Sequence, residues 1–178
     1  AAIGNGTVKI GPALESDEFV EWFAQQAGLD MPVDAIEAES KLTALYDELN
    51  SRLGALCGRT PRLKLNRVLC AIFPDYFTTI ADVGALRYLH REMGGLQNDH
   101  PVQAHISIRR RVDEVLGPVP ASDQMEKVRR MCLPWMLYER LTSDKQSEAL
   151  IPDVITQSPL SPLPATLRRK GLTAMKGG

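Results

Sequence analysis

The chain has 178 residues, 44% hydrophobic and 24% charged, with a formal net charge of −1. That length suits one domain with a real core, and the ordinary charge content excludes global disorder. No apolar run approaches the roughly 20 residues that cross a bilayer, so no membrane partner is expected.

In chain order, Gly4, Gly6 and Gly11 surround Thr7-Val8-Lys9-Ile10, which reads as a loop with at most one short strand. Ser16 is a helix cap, followed by Asp17 and Glu18 at the positive helix end. Phe19, Val20, Trp22 and Phe23 supply that helix's buried face and Gly28 stops it. A second helix starts near Pro32 and runs to Gly54 or Gly58, with Ile36, Leu42, Leu45, Tyr46, Leu49 and Leu53 at helical spacing. A third spans about Leu63 to Phe73, ended by Pro74. Asp75 to Ile80 reads as a turn and an extended piece. Asp82 caps a fourth helix carrying Val83, Leu86, Tyr88 and Leu89 and closed by Gly94-Gly95.

A fifth helix starts near Pro101, with Ile108, Val112, Val115 and Leu116 on one face, and Gly117-Pro118 breaks it. A sixth starts at Ser122 or Asp123 and holds Met125, Val128, Met131 and Cys132. Pro134 is expected to interrupt it, with Trp135, Met136, Leu137 and Leu141 on a shorter second piece. After Ser143 periodicity fades into a stretch holding Pro152, Pro159, Pro162 and Pro164. The fold class expected is mainly α: a compact helical bundle over residues 16–142, with extended arms over 1–15 and 143–178. Trp22 and Trp135 both sit in apolar helical patterns and are expected in the core.

Cys57, Cys70 and Cys132 are isolated and flanked by apolar residues. They read as unpaired buried thiols in a reducing compartment, the cytoplasm. Residues 1–15 lack the basic and apolar regions of a signal peptide. The chain opens at Ala1 without a methionine and ends without a closing element, so it is expected to be part of something larger.

No usual catalytic set is present in the sequence. There is no phosphate-binding Gly-x-x-x-x-Gly-Lys loop and no Gly-x-Ser-x-Gly turn. His90, His100 and His105 sit near no cysteine, so no zinc spacing exists. The one Glu-x-Lys, Glu39-Ser40-Lys41, lies upstream of Asp75 rather than downstream, against a metal-dependent nuclease centre. No cofactor and no enzymatic activity are expected.

Charge is unevenly placed. Residues 1–50 hold ten acids against Lys9 and Lys41, while residues 51–178 hold 19 bases against 12 acids. A basic working surface, or two halves that attract each other, would both look like this. The candidate nucleic-acid-binding residues are Lys64 and Arg67 on the third helix, Arg109, Arg110 and Arg111 on the fifth, and Lys127, Arg129 and Arg130 on the sixth. Clustered cations of this kind neutralise phosphates and release counterions. Consecutive bases on a helix also wrap different sides, and pairing with Asp113, Glu114 and the acidic N-terminal helices would explain them equally. A protein-binding surface is the third reading.

The stretch Leu65-Asn66-Arg67-Val68-Leu69-Cys70-Ala71-Ile72-Phe73-Pro74-Asp75-Tyr76-Phe77-Thr78-Thr79-Ile80, followed by Leu86-Arg87-Tyr88-Leu89, resembles a segment outside the motor in McrB-type AAA+ proteins of modification-dependent restriction and phage defence. The ending around Arg168-Arg169-Lys170-Gly171 is similar to linkers in such chains. The resemblance implies a non-catalytic DNA-binding or accessory module, one that recognises DNA or connects recognition and motor parts, partnered with a AAA+ motor or another defence subunit. The motor itself is absent, so the resemblance implies no nucleotide hydrolysis here. A helical assembly domain that binds no nucleic acid is the alternative.

Overall fold

The computed structural model describes residues 9–117, 119–120 and 122–149, with side chains described as far as residue 144. The chain divides into two units, Ala1–Leu141 and Thr142–Gly178. The described residues form seven α-helices and no strand. They are α1 (Gly11–Leu14), α2 (Asp17–Ala27), α3 (Ala35–Cys57), α4 (Arg62–Ile72), α5 (Val83–Glu92), α6 (Pro101–Leu116) and α7 (Gln124–Ala149). The expected arms lie mostly outside the described residues. Within the first of them, α1 forms a single helical turn that buries Ala13.

Local chemistry fixes most of the helix starts. The Ser16 hydroxyl accepts the Phe19 N–H at 3.3 Å, and the Asp82 carboxylate accepts the Ala85 N–H at 2.8 Å. Each such cap is worth about 1 kcal/mol. The second long helix does not begin at Pro32. Asp34 caps it instead, because its carboxylate takes the N–H groups of both Ile36 and Glu37. Ile36, in that first turn, is exposed. At the other end Gly58 adopts φ +75° and closes α3, a conformation open to glycine at little cost. His100 and Gln103 form a reciprocal capping box at the start of α6.

Two apolar clusters share α6 as their divider. Phe19, Leu42, Leu45, Leu49, Leu65, Leu69, Phe73 and Phe77 join α2, α3, α4 and the corner after α4, and α6 contributes Val102 and Ile106. Ile80, Leu86 and Leu89 form the second cluster, to which α6 contributes Ala104 and Ile108. Because α6 is buried on two sides, its apolar surface is wide and polar residues fall inside it. His105 is fully buried there. The Thr78 N–H and hydroxyl both meet its Nδ1, at 3.2 and 2.9 Å. Burial pushes its pKa down to about 3, so the ring is neutral.

α7 runs through Pro134 without a break, contrary to the sequence expectation. A proline inside a helix costs about 3 kcal/mol through its missing N–H and its clash with the preceding turn. Long-range anchors on either side offset that. The Thr79 N–H and hydroxyl both donate to the Met131 carbonyl, at 3.0 and 3.3 Å. Tyr138 and Leu141 pack against the second apolar cluster. Pro134 is itself buried. Val20, expected on the buried face of its helix, is exposed, and so are Val115 and Leu116 at the end of α6.

Candidate interaction site

The eight basic residues singled out in the sequence do not form one surface. Arg109 is only 4% exposed. It turns inward because it shares a helical stripe with His105 and Val112, both buried. Its Nε and Nη1 find no hydrogen-bond partner among the described residues. Burial lowers its pKa, opposed by the nearby carboxylates of Asp113 and Asp75. Arg130 is 5% exposed. Its Nε donates to Glu126 and its Nη1 to Asp113, both at 2.9 Å, and Nη1 also reaches the Gly117 carbonyl at the end of α6. These two arginines are corrections to the sequence reading. They are inside the protein and cannot meet a phosphate backbone.

Three others are exposed or half-exposed but paired. Arg111 meets Glu114 at 3.1 Å, Lys127 meets Asp75 at 3.4 Å, and Arg129 lies 3.9 Å from Glu126. Lys64 is half-buried. Arg67 and Arg110 are exposed, and neither forms an ion pair with another described residue. Arg110 borders a polar cleft of about 260 Å³ that also contains Glu39, His90 and Asp99. No group of three or more metal-ligating side chains occurs among the described residues.

The larger anomaly is apolar. Met125, Val128, Cys132, Trp135 and Met136 follow one another along α7 at steps of i, i+3, i+7, i+10 and i+11. Residues so spaced lie on one helical face. Met125 is 64% exposed, Val128 48%, Trp135 37% and Met136 63%. The inward face of the same helix is carried by Arg130 and Pro134, both buried, and by Met131, which packs on the core. So α7 is apolar on two faces, and only one of them is covered by described residues. Trp135 is therefore not the core residue expected, although it lies 5.5 Å from the ring of Tyr138. Trp22 is half-buried against the core, and the guanidinium of Arg52 sits 4.3 Å over its ring.

The sequence contained the signal for this face, since its spacing is plain. The structure separates Met125, Val128 and Cys132 from Met131, which turns to the core with Arg130. Arg130 belongs to the inward face once Asp113 is brought to it.

The stretch from Leu65 to Ile80 is a packed corner. Phe73 and Phe77 are buried on either side of the Pro74-Asp75 turn, and Asn66 donates to the Ala81 carbonyl at 2.8 Å across it. Burial pushes the Cys70 thiol up to about 11. No helix of the described residues is long and apolar enough to cross a membrane. Comparison with protein-family models, curated proteins and solved structures finds no match to this chain.

Proposed function

We propose that the chain is a helical protein-docking module. In this reading the outward face of α7 receives an amphipathic helix of a partner protein with an acidic edge. The observation that carries it is the exposed row Met125, Val128, Trp135 and Met136 on one helix. Monomers rarely expose contiguous apolar patches without a use for them, and helix-in-groove recognition reads such spacing. The charge of the partner follows from Arg129. It stands i+4 from Met125 and one turn before Cys132, so it borders the row. Its side chain is 73% exposed and its nearest carboxylate is 3.9 Å away. A surface ion pair there adds about 1 kcal/mol or less, so apolar burial supplies the affinity and Arg129 supplies orientation.

The test uses the full chain with Trp22→Phe, so that Trp135 reports alone. A synthetic helical peptide with a leucine seam and a glutamate edge shifts its emission. The lysine-edged version binds several-fold more weakly, and Met136→Glu abolishes both responses. No response to either peptide, or binding indifferent to Met136→Glu, sinks the reading. A concentration-dependent dimer that Met136→Glu dissolves would assign the face to a second copy instead.

A second reading, duplex DNA binding, is favoured by Arg67 and Arg110, which are exposed and without an ion-pair partner among the described residues. Fluorescence anisotropy with modified and unmodified duplexes across a salt series tests it. Affinity that falls steeply with salt and is lost in Arg67→Ala and Arg110→Ala supports it, and absence of binding at low salt removes it. Under the McrB-type resemblance, the partner in either reading would be a AAA+ motor or another defence subunit.

A further inference from the structure

A polar cavity of about 340 Å³ lies where α3 meets the beginnings of α4, α5 and α6. Its size falls within the roughly 300–1,000 Å³ typical of small-ligand sites. Two arginines line it, Arg62 and Arg87. Both are exposed, and neither side chain forms a hydrogen bond or ion pair with another described residue. A third lining group feels both: burial raises the pKa of the Tyr46 phenol, and the charges of Arg62 and Arg87 are among the influences that oppose the rise. Two arginines lining one cavity repel each other, and an anion between them removes that cost.

The remaining lining explains which anion. Arg62, Val83 and Pro101 are the first residues of α4, α5 and α6; α5 and α6 are capped by Asp82 and His100, and α4, which has no side-chain cap, adds its positive end to the two side-chain charges. The one carboxylate in the lining, Asp47, is already engaged by His100 Nε2 at 3.1 Å. The Thr60 hydroxyl and the Asn50 amide donate to backbone carbonyls, those of Asn50 and Tyr46, each at 3.0 Å. The guanidinium N–H groups are therefore the uncommitted charged donors. Guanidinium matches the oxygens of a phosphoryl group in pairs, and a tetrahedral dianion accepts from more than one side at once.

We propose that this cavity binds a phosphoryl group, held between Arg62 and Arg87 at the start of α4 and α5. The carrier is a small phosphomonoester or the phosphorylated end of a longer molecule. The site lies apart from the apolar face of α7 and does not depend on what docks there.

The experiment is calorimetric titration of the full chain with inorganic phosphate, adenosine monophosphate, adenosine, and a short oligonucleotide with and without its 5′-phosphate. Arg62→Gln and Arg87→Gln are compared with Arg91→Gln, an exposed arginine outside the cavity, as a control. The phosphate-bearing probes bind and their unphosphorylated counterparts do not. Each cavity variant weakens binding by about tenfold or more, while Arg91→Gln changes it less than twofold. Amide shifts of Asn50, Thr60 and Val83 on adding phosphate to the unaltered chain locate the site independently of any variant. Tighter binding of adenosine monophosphate than of the phosphorylated oligonucleotide identifies a small-molecule carrier, and the reverse a nucleic-acid end. Equal binding of adenosine and its monophosphate, or phosphate binding unaffected by both variants, overturns the proposal.

Discussion

Arg130 on α7 and Asp113 on α6 meet at 2.9 Å with the arginine almost wholly buried. The same guanidinium holds Glu126 on its own helix and carbonyls at the C-terminal end of α6. One side chain thus closes the end of α6 and aligns the first turns of α7. Replacing it removes a charge that two carboxylates surround and leaves backbone carbonyls unsatisfied. Arg130→Met is expected to lower the thermal midpoint by about 10 °C. Arg111→Met, which breaks only the exposed pair with Glu114, should shift it by no more than about 2 °C. Equal shifts in the two variants, read by circular dichroism melting, would show that the Arg130 network is a surface pair in disguise.

The three cysteines differ in environment, and their reactivity should follow. Cys70 is buried, and that burial is the main reason its pKa rises to about 11, with Cys132 adding to the shift and Arg109 opposing it. The thiolate is the attacking species. At pH 8, a thiol of pKa 11 has about one hundredth of the thiolate of one at 9. Alkylation by iodoacetamide followed by peptide mass spectrometry should therefore label the half-buried Cys57 and Cys132 well before Cys70. Labelling of all three at one rate would contradict the packing around α4.

Helix starts were legible wherever one side chain decides them. Ser16, Asp82 and the region of His100 and Pro101 act within a turn of themselves, so sequence spacing contains the whole cause. Asp34 was missed because Pro32 offers a competing local signal, and the carboxylate's two bonds to Ile36 and Glu37 outweigh it. Pro134 was misread because its tolerance comes from Thr79, more than fifty residues away in sequence. The run Arg109-Arg110-Arg111 turns by about 100° per residue, so at most part of it could face one partner. Which member turned inward was set by the His105 and Val112 stripe, present in the sequence. The cavity of Arg62 and Arg87 was not legible, since it needs three helix ends from distant segments in one place.

Gly95 is required by its neighbour rather than by its own backbone. A Cβ there would lie 2.1 Å from the ring of His90. That ring has little room to move, because it is buried and its Nε2 is tied to Asp99 at 2.7 Å. Gly95→Ala is expected to destabilise the fold by about 2 kcal/mol, an overpacking penalty. In a background that already carries His90→Ala, the same substitution should be nearly neutral. Urea unfolding of the four proteins of this cycle gives the coupling directly, and additive effects would reject the proposed clash.

His105 makes stability depend on pH with a definite sign. Its folded pKa is about 3, against a usual 6.5, and burial is the cause. Between these values the unfolded chain holds a proton that the folded chain does not. Protons therefore favour unfolding throughout the window, and stability is full above about pH 6.5 and falls as pH drops toward 3. One proton corresponds to about 1.4 kcal/mol per pH unit. Carboxylates add their own dependence at the acidic end, so the comparison needs a variant. His105→Asn keeps an acceptor for the Thr78 N–H but cannot titrate. It should be less stable than the parent at pH 7, since it leaves space in the core. Yet its stability should decline less between about pH 6 and 4, by close to the one-proton slope. If parent and variant lose stability in parallel over that range, the His105 ring is accepting a proton in the folded state. Thr78 would then have to release its hydrogen bonds to Nδ1.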